Sequence, residues 1–175
     1  MKKLVLITII AILMVPAMLV AQTATGTLTV NATVNSSINL VFNSDAAGVA
    51  LSAGAGTNNA TLNFGNVSAF GAVAAGITRT TTANSFTVST PVDVLVTKAN
   101  SASANYTLKA QLGAADAVNT WQVGGVGVTN AAQSTITATG AYGSNVAEAI
   151  ALTIPFATAN ATAISNTINF TATAN

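Results

Sequence analysis

Apolar and polar residues alternate with a period of two along most of this chain of 175 residues. The clearest apolar runs lie at residues 27–34, 38–42, 61–67, 87–97, 106–112, 121–128, 135–139, 150–156 and 164–170. Alternation of this kind is typical of half-buried β-strands, and helical spacing is scarce. The pattern predicts an all-β fold, a single antiparallel β-sandwich of about seven to nine strands over residues 22–175.

Three details of strand pairing follow from local residue types. Residues 87–97 and 106–112 follow each other closely and are predicted to form a hairpin with a loose connection. Pro91 cannot donate to a strand ladder, so its strand is expected to have an open edge or to begin there. Gly124 and Gly125 are expected to kink the strand that starts at Trp121.

The first 21 residues have the order of features found in a secretory signal peptide. Lys2 and Lys3 precede an apolar run from residue 4 to residue 14, Pro16 interrupts it, and Ala21 offers a small side chain for cleavage before Gln22. A membrane anchor is the alternative, but Pro16 divides a span that would only just reach the required length. We therefore predict a cleaved signal peptide at residues 1–21 and a secreted protein, extracellular or at the cell surface, with no membrane span after cleavage.

Charge is very sparse, at 5% of all residues. After removal of residues 1–21, Arg79, Lys98 and Lys109 remain as the three cations beside four carboxylates, which gives a net charge of −1. Three scattered cations cannot neutralise a phosphate backbone, so nucleic acid is excluded as an expected partner. Uncharged threonine, serine and asparagine surfaces suit close packing of identical subunits, and they are equally typical of a weakly charged secreted domain.

The residue types needed for most catalysis are missing. The chain contains no histidine and no cysteine, so the usual general base, thiol nucleophile and soft metal ligands are absent. Asp116 and Glu148 are interpreted as loop or strand-entry residues, and Asp93 is expected to face solvent from the middle of a strand. We predict that the protein is not an enzyme, with no catalytic residues, no cofactor and no metal site.

Two small groups of residues have alternative interpretations. Asp45 lies in a predicted turn, where aspartate commonly binds its own backbone, and a calcium site at residues 43–45 is the less favoured interpretation. Trp121, Tyr106 and Tyr142 could form a sugar-stacking platform, although Trp121 and Tyr106 fall on apolar strand faces and are expected in the core.

The segment after the predicted cleavage point is a candidate assembly element. Its alternating apolar side chains are those of Leu28, Val30, Ala32 and Val34. Residues 22–34 could be the first strand of a self-complete sandwich, or a donor strand that adds to the open edge of a neighbouring copy. Both alternatives are compatible with the sequence.

Two motifs resemble those of small bacterial pilin-like and spore-coat-U-like surface proteins. They are Leu-Asn-Phe-Gly-Asn-Val at residues 62–67 and the terminal segment at residues 164–173. The resemblance implies an immunoglobulin-like sandwich, secretion to the surface, and assembly or adhesion. We therefore expect a non-enzymatic structural subunit of a pilus, fibre, coat or matrix that self-associates through β-strand edges. The alternative is a secreted adhesin that binds glycans or other surface proteins.

Overall fold

The structure, a computed structural model, describes residues 25–175, so the predicted signal peptide at residues 1–21 lies outside the described residues. The chain divides into two units, residues 1–33 and residues 34–175. Of the first unit, residues 25–33 are described, and they are exposed and form no strand. From residue 25 onward there is no helix that is long and apolar enough to cross a membrane.

The second unit consists of β-strands joined by turns and loops. Between residues 34 and 175 the strands are β1 (Ser37–Ser44), β2 (Thr78–Thr81), β3 (Ser85–Ala99), β4 (Tyr106–Leu112), β5 (Thr120–Val123), β6 (Val126–Val128), β7 (Ser134–Gly140), β8 (Asn145–Pro155) and β9 (Ile168–Ala174). Most of them coincide with the alternating runs of the sequence, because β-branched and aromatic residues suit a pleated surface that is buried on one side.

The strands form two antiparallel sheets. The larger sheet has the order β1-β3-β8-β5-β6, with β2 also paired to β3, and the smaller sheet has the order β7-β4-β9. Every pairing is antiparallel. The prediction of an all-β antiparallel sandwich with seven to nine strands is therefore confirmed.

The core lies between the apolar inner faces of the two sheets. One cluster of buried side chains centres on β3, β5 and β8, and a second joins Val94 and Val96 of β3 to Tyr106 and Leu108 of β4. On the side of β1, the rings of Phe42 and Phe170 meet edge to face with centroids 5.1 Å apart. The chain contains no cysteine, so this apolar packing and the ladder hydrogen bonds hold the sandwich together without disulfides.

Strand β3 is the longest strand and contains the predicted run 87–97. One of its edges pairs with β2 through residues 86–89 and with β1 through residues 92–99, and Pro91 lies in the gap between these partners. The carbonyl oxygen of Pro91 points into this gap, where Gly48 approaches so closely that a Cβ there would collide with it. The nitrogen of an extended residue points to the same side as its carbonyl, so the missing N–H of Pro91 interrupts no ladder.

The predicted hairpin between residues 87–97 and 106–112 is wrong. Strand β3 belongs to the larger sheet and β4 to the smaller one, and the loop at residues 100–105 carries the chain from one sheet to the other. Strands β3 and β4 each have one continuous apolar face. In a hairpin the two faces would lie side by side in one sheet, whereas in two facing sheets each face is buried against the other sheet.

Two other local predictions are also corrected. Gly124 and Gly125 do not kink a strand but form the two-residue turn of the β5–β6 hairpin, in which Val123 pairs with Val126. Both glycines have positive φ, as such a turn requires. The run at residues 61–67 forms no strand; Thr61 makes a single bridge to Ala53, and the ladder stops there.

We predict that Gly48→Ala lowers the free energy of unfolding by about 1–3 kcal/mol, because the new methyl group must displace the backbone at Pro91. Gly127→Ala is the matched control, since nothing lies within 4 Å of its added Cβ, and it should change stability by no more than about 0.5 kcal/mol. Urea unfolding of both variants measures the difference. Equal stabilities would show that the contact at Pro91 relaxes without cost.

Candidate functional site

The candidate assembly segment is fully outside the strands of the structure. Residues 25–36 have no strand assignment. Three of the four predicted assembly side chains are large and apolar, and Leu28 is 88% exposed, Val30 79% and Val34 72%. Ala32 is also exposed. The strand predicted at residues 27–34 is therefore not formed within the described chain, although its alternating pattern remains available for pairing.

A large open cleft lies between the two sheets of the second unit. Its volume is about 1530 Å³. Its floor consists of buried apolar side chains of the larger sheet, namely Phe86, Val92, Val94, Trp121, Ile150, Leu152 and Ile154. Ile168 and Phe170 of β9 form part of the wall. Small-molecule pockets usually measure about 300–1,000 Å³, so this cleft has the size to take a segment of polypeptide.

Two stretches of irregular chain line the same cleft. Residues 62–67 and residues 163–166 belong to no strand and, within residues 25–175, make no backbone-to-backbone hydrogen bond. Leu62, Phe64 and Ile164 pack against the main core cluster without being fully buried. Peptide groups that lack ladder partners next to an apolar floor can still donate hydrogen bonds through N–H and accept them through C=O.

The lining of the cleft carries no charged side chain among the described residues. Its polar groups are the amides and hydroxyls of residues such as Asn63, Asn66, Thr162 and Asn169. An uncharged, partly apolar lining favours a neutral partner, because an ion that enters it would lose hydration without gaining an opposite charge.

Strand β9 offers a long free edge beside this cleft. It pairs with β4 through seven consecutive residue pairs without a register shift, and no strand within residues 25–175 pairs with its other side. The strand contains neither proline nor a charged residue. Natural edge strands are usually protected from further pairing by such residues, by bulges or by covering loops, and the edge of β9 has none of these within its own sequence.

The aromatic residues considered for sugar stacking do not form a joint platform. Trp121 is buried in the main core cluster and Tyr106 in the second cluster, as expected from their strand faces. Tyr142 packs against Tyr106 with ring centroids 5.3 Å apart, and the Lys98 Nζ lies 5.0 Å from the centroid of its ring. The exposed aromatic pair is instead Phe70 and Phe156, with centroids 5.9 Å apart.

The turn at residues 43–45 contains a small polar cluster. The Asp45 Oδ1 accepts a hydrogen bond of 2.7 Å from the amide of Ala47, which confirms the predicted turn role. The Asn145 Nδ2 donates to the Asp93 Oδ2 at 3.1 Å. Partial burial, and then the nearby Asp45 carboxylate, raise the pKa of Asp93. Among the described residues, no three histidine, cysteine or carboxylate side chains group closely enough to hold a metal ion.

Asp116 is engaged in local hydrogen bonds. It accepts from the Trp121 Nε1 at 2.8 Å and from the amides of Asn119 and Val118 at 2.9 and 3.0 Å. Burial by itself would raise the pKa of Asp116, but these hydrogen bonds outweigh it and lower the pKa to about 2. The carboxylate orders the loop before β5 and has little basicity left for proton transfer.

Glu148 is a buried carboxylate on the inner face of β8. It is 6% exposed, and its Oε1 accepts a hydrogen bond of 3.3 Å from the Thr137 Oγ1 of the opposite sheet. Burial raises the pKa of Glu148, and the hydrogen bond from Thr137 offsets this only in part. It was predicted to be a loop or strand-entry residue, whereas the structure places it within β8, on the buried face that it shares by alternation with Ile150 and Leu152.

Sequence analysis did not find the cleft, because its floor is assembled from strands that are distant along the chain. The available signal was two long uncharged stretches, residues 46–78 and 149–175, which supply most of its rim.

Comparison with protein-family models, with curated proteins and with solved structures finds no match to this chain. The pilin-like resemblance stays a prediction.

We predict that Glu148→Gln alters how stability depends on pH. A pKa that is higher in the folded than in the unfolded chain means that stability falls as the pH rises above the ordinary value of 4.5. The glutamine variant should lose this decline and should be more stable than the parent near neutral pH.

Asp116→Asn serves as the control, because its lowered pKa acts in the opposite direction. The contribution of Asp116 is present above its ordinary pKa of 3.8 and is lost as the pH falls towards about 2. Urea unfolding measured at a series of pH values, from about 2 to neutral, determines both effects on the free energy of unfolding. Parallel stability curves for Glu148→Gln and the parent would contradict the account of Glu148.

Proposed function

We propose that this chain is a non-enzymatic extracellular structural subunit, of the pilus, fibre, coat or matrix type, that assembles through β-strand edge contacts. The observation that carries the proposal is the exposed segment at residues 27–34, which has the alternation of a strand but no strand partner among the described residues. A soluble domain gains nothing from exposing Leu28, Val30 and Val34 in water, whereas association with another copy would bury them.

The energetic gain is large enough for a lasting contact. Burial of the three larger side chains at about 1.5–3 kcal/mol each, with a smaller gain for Ala32, gives on the order of 5–9 kcal/mol. Main-chain hydrogen bonds to a sheet edge would add to this value. The near absence of charge supports close packing of many identical copies, because repulsion between neighbouring subunits is small.

Export is the other part of the proposal and rests on residues 1–21. The order of Lys2 and Lys3, an apolar run, Pro16 and Ala21 is the pattern of a cleavable signal peptide. A subunit without cysteine is compatible with an oxidising exterior, since no thiol can form an unwanted disulfide.

A secreted glycan-binding adhesin is the second candidate. The observation that favours it is the exposed pair Phe70 and Phe156, because the faces of aromatic rings can stack on apolar sugar surfaces. This candidate requires no self-association, so the oligomeric state separates it from the first.

We predict that a chain beginning at Gln22 forms fibres or large oligomers and that a chain beginning at Asn35 does not. The shorter chain lacks all four assembly side chains and therefore cannot donate the strand. Size-exclusion chromatography with light scattering, followed by electron microscopy, measures the assembly state of both chains. Circular dichroism provides the control that both are folded.

A longer chain that stays strictly monomeric at high concentration would contradict the subunit proposal and would make the glycan-binding candidate the leading one. If the shorter chain also proves unfolded, residues 22–34 are instead an internal strand of the sandwich.

A further inference from the structure

We propose that the cleft between the two sheets binds a neutral long-chain lipid, such as a monoacylglycerol, with its chain along the apolar lining and its polar head at Thr158. Such a site goes beyond the proposed function, because neither a structural subunit nor a glycan-binding adhesin requires this ligand. The length of the cleft, the charge of its lining and one unpartnered hydroxyl each limit the class of ligand.

The cleft is long enough for an extended chain. Phe86 and Val94 both line it and lie eight residues apart on β3. At about 3.3 Å per residue, they are separated by about 26 Å along the strand. The volume of about 1530 Å³ also exceeds the roughly 300–1,000 Å³ of a drug-sized pocket. An elongated occupant therefore fits the cleft better than a compact one.

The wall that an occupant would touch is apolar and only half-buried. Leu62 and Phe64 come from one irregular stretch, Ile164 comes from the other, and Ile168 and Phe170 belong to β9. All five pack against the main core cluster and still remain half-buried. The floor beneath them is already buried, so these are the side chains that an alkyl chain would remove from water, which is favourable.

The charge of the lining excludes an ionised head group. No charged side chain lines the cleft among the described residues. A carboxylate or phosphate there would lose hydration and would gain no cation in exchange. The lining instead offers amide groups, including those of Asn63, Asn66 and Asn169, which can hydrogen-bond to hydroxyl and ester oxygens. The head group that fits is therefore uncharged.

Thr158 marks the position of this head group. The Thr158 Oγ1 is enclosed and has no hydrogen-bond partner within residues 25–175. Thr158 lines the cleft in the turn after β8, where its amide donates to the Pro155 carbonyl at 3.0 Å. A buried hydroxyl without a partner is rare because it is costly, and a small shift of this turn would let a ligand hydroxyl supply the missing hydrogen bond.

Trp121 provides a direct test of binding, because it is the single tryptophan of the chain and lies on the floor of the cleft. The chain beginning at Gln22 is titrated with N-phenylnaphthylamine and with anilinonaphthalene sulfonate, which share an aromatic body and differ in the charged sulfonate. Energy transfer from Trp121 to the neutral probe is expected, with several-fold weaker binding of the anionic probe. Monolaurin should displace the neutral probe, whereas laurate, which has the same chain length and a charged head, should not. Both lipids are kept below the concentrations at which they form micelles.

Thr158→Val tests the contact to the head group, because valine keeps the shape of threonine and removes the hydroxyl. The affinity for monolaurin should fall about two- to tenfold, as expected for one hydrogen bond. Urea unfolding should show no loss of stability, since the hydroxyl has no partner within residues 25–175.

Thr162→Val is the matched control in the same cleft. The Thr162 Oγ1 already donates to the Ala159 carbonyl at 2.7 Å, so its removal should lower stability and leave the affinity for monolaurin unchanged. Phe70→Ala removes an exposed ring that lies outside the lining of the cleft, and it should not alter binding of the neutral probe.

Each part of the proposal has a result that overturns it. Equal binding of the neutral and the anionic probe overturns the neutral class of ligand. Absence of energy transfer from Trp121, or binding that is lost in Phe70→Ala, overturns the cleft as the site. An unchanged affinity for monolaurin in Thr158→Val overturns the position of the head group.

Discussion

Apolar packing between the two sheets is the interaction on which the rest of the structure depends. The chain has no disulfide and very few charged residues, so the alternating side chains of β3, β4 and β8 supply the cohesion of the domain. Packing of this kind is strong only where both layers are complete. The larger sheet has six strands and the smaller one has three, which leaves part of the inner face of the larger sheet without an opposite layer.

The cleft is the consequence of this mismatch. The floor of the cleft is nevertheless almost fully buried, since Phe86, Trp121 and Ile150 each keep about 7% of their surface exposed and Val94 keeps 1%. Irregular chain at residues 62–67 covers the inner face in part, without ladder hydrogen bonds of its own.

Much of the fold could be predicted from period-two alternation, because side-chain direction in a strand is a local property. Residues 106–112 became β4 with the same bounds. Contrary to the prediction, Pro91 neither begins its strand nor lies in an edge strand, but lies in the short gap between β1 and β2 on one side of β3. Pairing could not be predicted in the same way. The loop at residues 100–105 joins β3 and β4 as a hairpin loop would, yet it crosses between sheets, because partner choice depends on burial summed over distant strands.

The same distinction between local and long-range features applies to the candidate site. Leu28, Val30, Ala32 and Val34 were found because an apolar stripe is visible in sequence. The cleft and the edge of β9 were missed, because an edge is defined by the absence of a neighbour and a cleft by residues far apart in the chain. The burial of Glu148 was missed for a related reason, since it comes from contacts with Thr137 of β7 and Gly124 of the β5–β6 turn.

Amide hydrogen exchange over a range of protein concentrations tests the central claim most directly. The account predicts that residues 27–34 exchange quickly in dilute solution and become protected as the concentration rises. Two results would contradict it: exchange that stays fast in this segment at every concentration, or protection of residues 27–34 that is already complete in the monomer.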